Sequence, residues 1–226
     1  PQERSVIRLQ PIRDISGTDI LRGNFFSSCT LKVSGMSTES YKRFDGRVFL
    51  VRYYENETRC IEDLRSANLV DTLRAMPELT PDILAAFRRL NGAPENEDAL
   101  TMIDRGTLAF AFIIAGQGPR AFGMPEMFAP SQYLRHHGVI ERSSIMITDG
   151  RYSGVTKGAC VGHMVPEVFE GGGIGTLMSG DLLWMRLDQR RIDLIDREAF
   201  LSGLIEPLPG APFHERQALL QRRQAA

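Results

Sequence analysis

The run Thr107-Leu-Ala-Phe-Ala-Phe-Ile-Ile114 constrains this chain more than any other segment. It is continuously apolar, of strand length, and bounded by Gly106 and Gly116. Such a run predicts a strand buried inside a sheet rather than lying on its surface. Ser144-Ile-Met-Ile-Thr148 predicts a second buried strand. Leu31-Lys-Val33 and Arg47–Tyr54 carry β-branched and aromatic residues in short runs that suit strands. Leu182–Leu187 and Arg191–Ile195 alternate around the polar link Asp188-Gln-Arg190 and read as a hairpin.

Elsewhere the apolar period lengthens. Ile61, Leu64, Leu69, Leu73 and Met76 recur at helical spacing, and Ile83, Leu84, Phe87 and Leu90 repeat the pattern. Thr80 is placed to cap the second run with Pro81 at its first position, and Asn91-Gly92 supplies a stop. Two helices are expected here, with a third across Glu97–Asp104. Pro125–His136 reads as a helix with Glu126 in its first turn, and Phe213–Ala226 as an amphipathic tail helix suited to an interface. Strands that do not alternate regularly with helices argue against a doubly wound sheet. The expected class is α/β, with a barrel-like mixed sheet flanked by helices. The expected organisation is a lead-in arm over residues 1–20, a domain over 21–205 with a helical insert at about 60–104, and a tail over 206–226.

Composition narrows the function. The 226 residues carry 27 basic and 28 acidic side chains, a formal net charge of −1, with no long block of one sign. Nothing there favours a nucleic-acid partner or an anionic membrane, and a small polar ligand or a protein fits better. No apolar run approaches the roughly 20 residues of a membrane span. The first residues lack the apolar stretch of a signal peptide, so a cytoplasmic protein is expected. Cys29, Cys60 and Cys160 are widely spaced and contain no Cys-x-x-Cys pair, which points away from a disulfide framework or a self-contained zinc site. The chain does not open on Met, so a further domain is expected.

The densest chemistry lies in Ile147–Glu167. There a buried strand enters a turn holding Asp149, Gly150, Arg151, Ser153, Gly154, Thr156 and Gly158, followed by His163. Glycines permit close backbone approach to a ligand, and successive free N–H groups can hold a carboxylate or alkoxide. The same residues equally suit a plain connection whose Ser153 or Thr156 caps a following helix. The order fits neither a P-loop nor the Gly-x-Ser-x-Gly elbow of hydrolases, because Arg151 stands where the first glycine belongs. Glu126, in Gly123-Met-Pro-Glu-Met127, is either an acid complementing a helix dipole or a hard oxygen ligand for Mg2+. Glu170-Gly-Gly-Gly-Ile lacks dinucleotide-loop spacing and reads as a flexible turn. His163 suits a hydrogen-bonded structural role.

Taken in order, Leu21-Arg-Gly-Asn24, Leu31-Lys-Val-Ser-Gly35, Gly116-x-Gly-Pro119, Gly123-Met-Pro-Glu-Met127, Thr148-Asp-Gly-Arg-Tyr-Ser-Gly154, Val161-Gly-His-x-x-Pro-Glu167 and Glu170-Gly-Gly172 resemble the carboxyl-terminal half of the dihydroxy-acid / 6-phosphogluconate dehydratase family. The resemblance spans roughly residues 19–200. It implies a swivelling β/β/α domain of a two-domain hydro-lyase that converts a 2,3-dihydroxy acid or sugar acid to a 2-keto acid. The iron–sulfur cluster ligands and a Mg2+ site would lie in an amino-terminal domain, so the three cysteines here are not expected to bind the cluster.

By the same resemblance Ser153 maps onto the proposed base and Glu126 onto a Mg2+ ligand. Thr156, Gly154 and Arg151 are expected to position substrate, with Asp149 and His163 in support. A homodimer or homotetramer is expected. Glycine-rich details and the helical insert lean towards an aldonate, xylonate-type branch over branched-chain amino-acid biosynthesis. The domain alone is expected to be inactive. The competing reading is a non-catalytic binding or assembly module that kept the fold.

Overall fold

The computed structural model describes residues 18–153, 156–209 and 216–225. Its strands are β1 (Thr18–Leu21), β2 (Ser28–Lys32), β3 (Val48–Tyr54), β4 (Phe110–Ile114), β5 (Ser144–Thr148), β6 (Cys160–Val165), β7 (Leu182–Arg186) and β8 (Arg191–Leu194). They form one sheet in the order β1-β2-β6-β5-β4-β3-β7-β8. The four central strands run parallel, and the flanking pairs are antiparallel. The two edges then meet. Arg22 bridges Arg191, donating its N–H to the Arg190 carbonyl at 3.0 Å, and the Ile192 N–H returns to the Arg22 carbonyl at 2.9 Å. The result is a nearly closed, barrel-like mixed sheet flanked by helices, as the strand pattern predicts.

The apolar run around β4 now has a physical account. Ala109, Ala111, Ile113 and Ala115 face the barrel interior with Leu21, Val51, Ile145 and Val161. Phe110, Phe112 and Ile114 face outward beneath the helices. Both faces are buried, so both must be apolar, each large side chain being worth roughly 1.5–3 kcal/mol. The small alanines suit the crowded interior, and the phenylalanines fill the broader outer layer.

Helices occupy the long crossovers. Between β3 and β4 lie α2 (Glu57–Arg65), α3 (Leu69–Arg74), α4 (Pro81–Asn91) and α5 (Ala99–Arg105), following α1 (Thr38–Phe44). Four helices therefore stand where two or three were expected. The five-residue step from Leu64 to Leu69 is a break through Ser66-Ala-Asn68, not a tolerated irregularity. Thr80 does cap α4, its Oγ1 accepting from the Ile83 N–H at 3.3 Å, and Gly92 ends it at φ +60. The β7–β8 hairpin forms with Arg190 at φ 55 in its turn.

Residues 18–20 belong to β1 rather than to a lead-in arm; residues 1–17 lie outside the described residues. The motif Leu21-Arg-Gly-Asn24 is the barrel seam. A Cβ on Gly23 would lie 1.9 Å from the Ile192 carbonyl oxygen, so only glycine fits. Asn24 Nδ2 donates to the Leu194 and Leu208 carbonyls at 2.7 and 3.2 Å, and its Oδ1 accepts the Leu194 N–H at 2.8 Å. Among the described residues, no helix is long and apolar enough to cross a membrane.

Candidate functional site

The connection from β5 to β6 is built differently from the other parallel crossovers. Strands β3, β4 and β5 are joined through helices, but the next element after β5 among the described residues is β6, where Cys160 pairs with Met146. The reading in which Ser153 or Thr156 caps a helix therefore fails, because the next element is a strand. Gly154 lies outside the described residues.

Asp149 anchors the near end of this crossover. It is 1% exposed. Its Oδ1 accepts the Gln117 N–H at 2.8 Å, and its Oδ2 accepts the N–H groups of Gly116 and Val168 at 3.2 and 3.1 Å. Burial pushes the carboxyl above the usual range, and the three N–H donors pull it back. One side chain thus ties together the loops after β4, β5 and β6. Glu167 makes a second tie. Its carboxylate accepts from Arg120 and Ala121 at 2.8 and 3.3 Å, at the start of α6 (Pro119–Phe122). A Cβ on Gly118 would fall 1.7 Å from Glu167 Oε2, and one on Gly172 would fall 1.8 Å from the Pro166 carbonyl. These motif glycines exist to let loops touch.

Glu126 is not in the first turn of a helix. The helices α7 (Phe128–His136) and α8 (Gly138–Arg142) begin only after it, and Glu126 instead forms a parallel bridge with Arg151. Arg151 donates its N–H to the Pro125 carbonyl at 3.2 Å and accepts the Met127 N–H at 2.9 Å, which spends the backbone groups a helical turn would need. This brings Glu126 beside the turn that carries Ser153. Its half-buried carboxylate makes no hydrogen bond or ion pair among the described residues. The Arg151 guanidinium is exposed and donates to the Met124 carbonyl at 3.1 Å.

The residue that sequence reasoning missed is Lys32, at the end of β2. It is 6% exposed, and its ammonium donates to the carbonyls of Ser153 and, at 2.6 Å, Thr156. Burial pulls its pKa down, while the negative charge of Glu126 supports the ammonium. Lysine is rarely buried unless paired, yet nothing in Leu31-Lys-Val33 separates this one from a solvated strand lysine. Thr156 is fully buried, and its Oγ1 has no hydrogen-bond partner among the described residues. His163, at φ 53, shares a 3.0 Å hydrogen bond with Thr30 Oγ1, and burial lowers its pKa.

A cavity of about 650 Å3 opens beside this cluster, lined among others by Tyr53, Glu55, Gln117, Phe169, Leu219 and Arg222. Ser153 and Glu126 do not line it. One wall is α10 (Gln217–Ala225), part of the predicted tail helix, of which residues 213–215 and 226 lie outside the described residues. It docks on its own barrel instead of standing free for an interface. Leu220 is buried, Arg216 pairs with Asp181 at 2.6 Å, and the Arg223 guanidinium lies 3.6 Å from the centre of the Tyr53 ring.

The model of the dihydroxy-acid/6-phosphogluconate dehydratase C-terminal family matches residues 90–203, half of the chain and every element from α5 to α9 (Arg197–Leu201). The chain belongs to this family. Its similar relatives include dihydroxy-acid dehydratases of Methanococcoides burtonii, 39% identical over 43% of this chain and 18% of that protein, and of Methanoregula boonei, 44% identical over 44% and 19%. A third, from Anaeromyxobacter dehalogenans, is 36% identical over 53% of this chain and 23% of its own length. The chain therefore spans about a fifth of the curated dehydratases it matches.

The described residues can be tested against the cofactors the dehydratase family implies. No three His, Cys, Asp or Glu side chains among them come together to hold a metal. Cys29, Cys60 and Cys160 are free and buried on β2, α2 and β6, and burial raises each thiol, Cys160 to about 12. These thiols do not fit a cluster. A single Mg2+ ligand does fit, since Glu126 offers a carboxylate with no hydrogen bond or ion pair among the described residues, and Mg2+ needs only one or two such ligands from a protein surface.

Proposed function

We propose that this chain is the carboxyl-terminal domain of a hydro-lyase that dehydrates a 2,3-dihydroxy acid to a 2-keto acid. Ser153 is the base, and Glu126 is this domain's contribution to a Mg2+ site. The supporting observation is the convergence of three segments distant in sequence: the Ser153 turn, the Glu126 bridge and the buried Lys32 ammonium. The substrate class follows the names of the similar dehydratases.

Dehydration removes a proton from C2 and hydroxide from C3. Ser153 Oγ, as alkoxide, takes the C2 proton; the C2–H electron pair becomes the C2–C3 double bond as the C3–O bond breaks. The enol then tautomerises to the 2-keto acid. Mg2+, when bound, would supply Lewis acidity toward the substrate's carboxylate and C2 oxygen. A serine serves as a base only where its alkoxide is stabilised, and positive charge next to the turn does that. Thr156 Oγ1 is buried without a partner among the described residues, and such a group costs about 1–3 kcal/mol unless a ligand or alkoxide satisfies it. Arg151, whose guanidinium is exposed, is assigned to the substrate carboxylate, and Gly154 to substrate positioning. Asp149 and His163 hold the loops.

The test is Ser153→Ala in the full-length protein, with 2-keto acid formation followed across a panel of dihydroxy acids and aldonates. Loss of a general base should lower kcat by at least 10²–10⁴-fold with fold and cofactor content kept. Turnover like the wild type would remove Ser153 as the base.

A further inference from the structure

We infer that Lys32 is a positioning residue for catalysis, a buried cationic post that fixes the turn bearing Ser153; this rests on the reading of Ser153 as the base. Three observations carry it. Lys32 closes β2, whose register against β6 is set by the Leu31–Val161 pair, so the stem of the side chain starts from a fixed strand. Its ammonium then reaches both ends of the turn, donating to the carbonyls of Ser153 and Thr156. Finally, the crossover it holds has no helix among its described residues to stiffen it, unlike the two crossovers before it.

A buried ammonium is costly unless its donors are met, and here the turn's own carbonyls meet them. The contact therefore runs both ways. The turn satisfies the charge, and the charge dictates where the turn's carbonyls point. Because the Ser153 carbonyl is one of the two, the backbone conformation that presents Oγ is set by a residue 121 positions away. A neutral side chain of similar volume can fill the space without orienting two carbonyls.

The experiment compares Lys32→Met, Lys32→Leu and Lys32→Arg with Ser153→Ala, all in the full-length holoenzyme with cofactor content checked. A misplacement of about 1 Å at a reacting group costs on the order of 100-fold, so the two neutral variants should lose about that much in kcat. Substrate binding does not need the post, so KM should stay within about threefold. Lys32→Arg, keeping a cation and several donors, should recover at least a tenth of wild-type kcat. Either folded neutral variant retaining wild-type kcat overturns the inference. So does a parallel rise in KM with kcat unchanged, or failure of both neutral variants to fold, which would make the contact a requirement of the fold alone. An active Ser153→Ala variant would instead overturn the base assignment. An inactive Ser153→Ala beside fully active Lys32 variants would leave the base standing and remove only the post.

Discussion

Replacing Asp149 by asparagine gives the sharpest test of how the site's loops are held. The carboxylate accepts three backbone N–H groups, Gln117 on Oδ1 and Gly116 and Val168 on Oδ2, from a position 1% exposed. Asparagine keeps one acceptor oxygen and turns an NH2 donor toward N–H donors. Its better orientation saves the Gly116 and Val168 bonds and leaves the buried Gln117 N–H unmet, a penalty of about 1–3 kcal/mol. The two surviving bonds change from charged to neutral acceptors and lose about 1 kcal/mol each. Relief of burying a charge offsets part of this, as the raised carboxyl pKa shows. The net loss should be about 2–4 kcal/mol, which in a chain of this size lowers Tm by roughly 5–15 °C. Urea titration of the wild type and variant, with equal m-values, measures it directly. A loss below about 1 kcal/mol would mean that the three N–H groups find other partners and that Asp149 does not tie the loops together.

Two further outcomes follow from particular contacts. Gly118→Ala should cost about 1–3 kcal/mol in the wild-type background, and less than about 0.5 kcal/mol once Glu167→Gly has removed the side chain whose Oε2 and Cβ it would strike at 1.7 and 2.5 Å; additive losses in denaturant titrations would refute the contact. The pKa of His163 is lowered in the folded state by burial, so the unfolded chain binds the proton more readily and stability falls as pH drops through about 6.5 toward the folded value. His163→Asn should therefore show a shallower decline of Tm between about pH 7 and pH 5 than the wild type; identical slopes would exclude this contribution.

How much of this was legible in the sequence depends on the range of each interaction. The β4 run announced its burial because both of its faces pack on apolar layers, and the helix α4 announced its ends because Thr80, Pro81 and Gly92 act within one turn. The break between α2 and α3 was harder to see, since one irregular step in an apolar spacing looks like tolerance. The ordered motifs gave the family, although several of them proved to serve assembly. Gly23 and Asn24 close the barrel, and Gly118 admits Glu167.

The position of Glu126 was misread because Pro before an acid is a frequent helix start, and only the Arg151 pairing, across the fold, draws that backbone into a bridge. Docking of the tail helix was invisible for a similar reason. Its partners Asp181, Tyr53 and Val168 lie on other elements.

By itself, then, the sequence determined which segments are buried, where turns and caps fall, and which family motifs the chain carries, because these depend on side chains a few residues apart. Tertiary structure decided that the sheet nearly closes, that Glu126 lies beside the Ser153 turn, and that the buried Lys32 ammonium donates to that turn's carbonyls. Those facts are pairings between residues brought together only when the strands take their order. An ammonium seeking carbonyls has no sequence period to betray it.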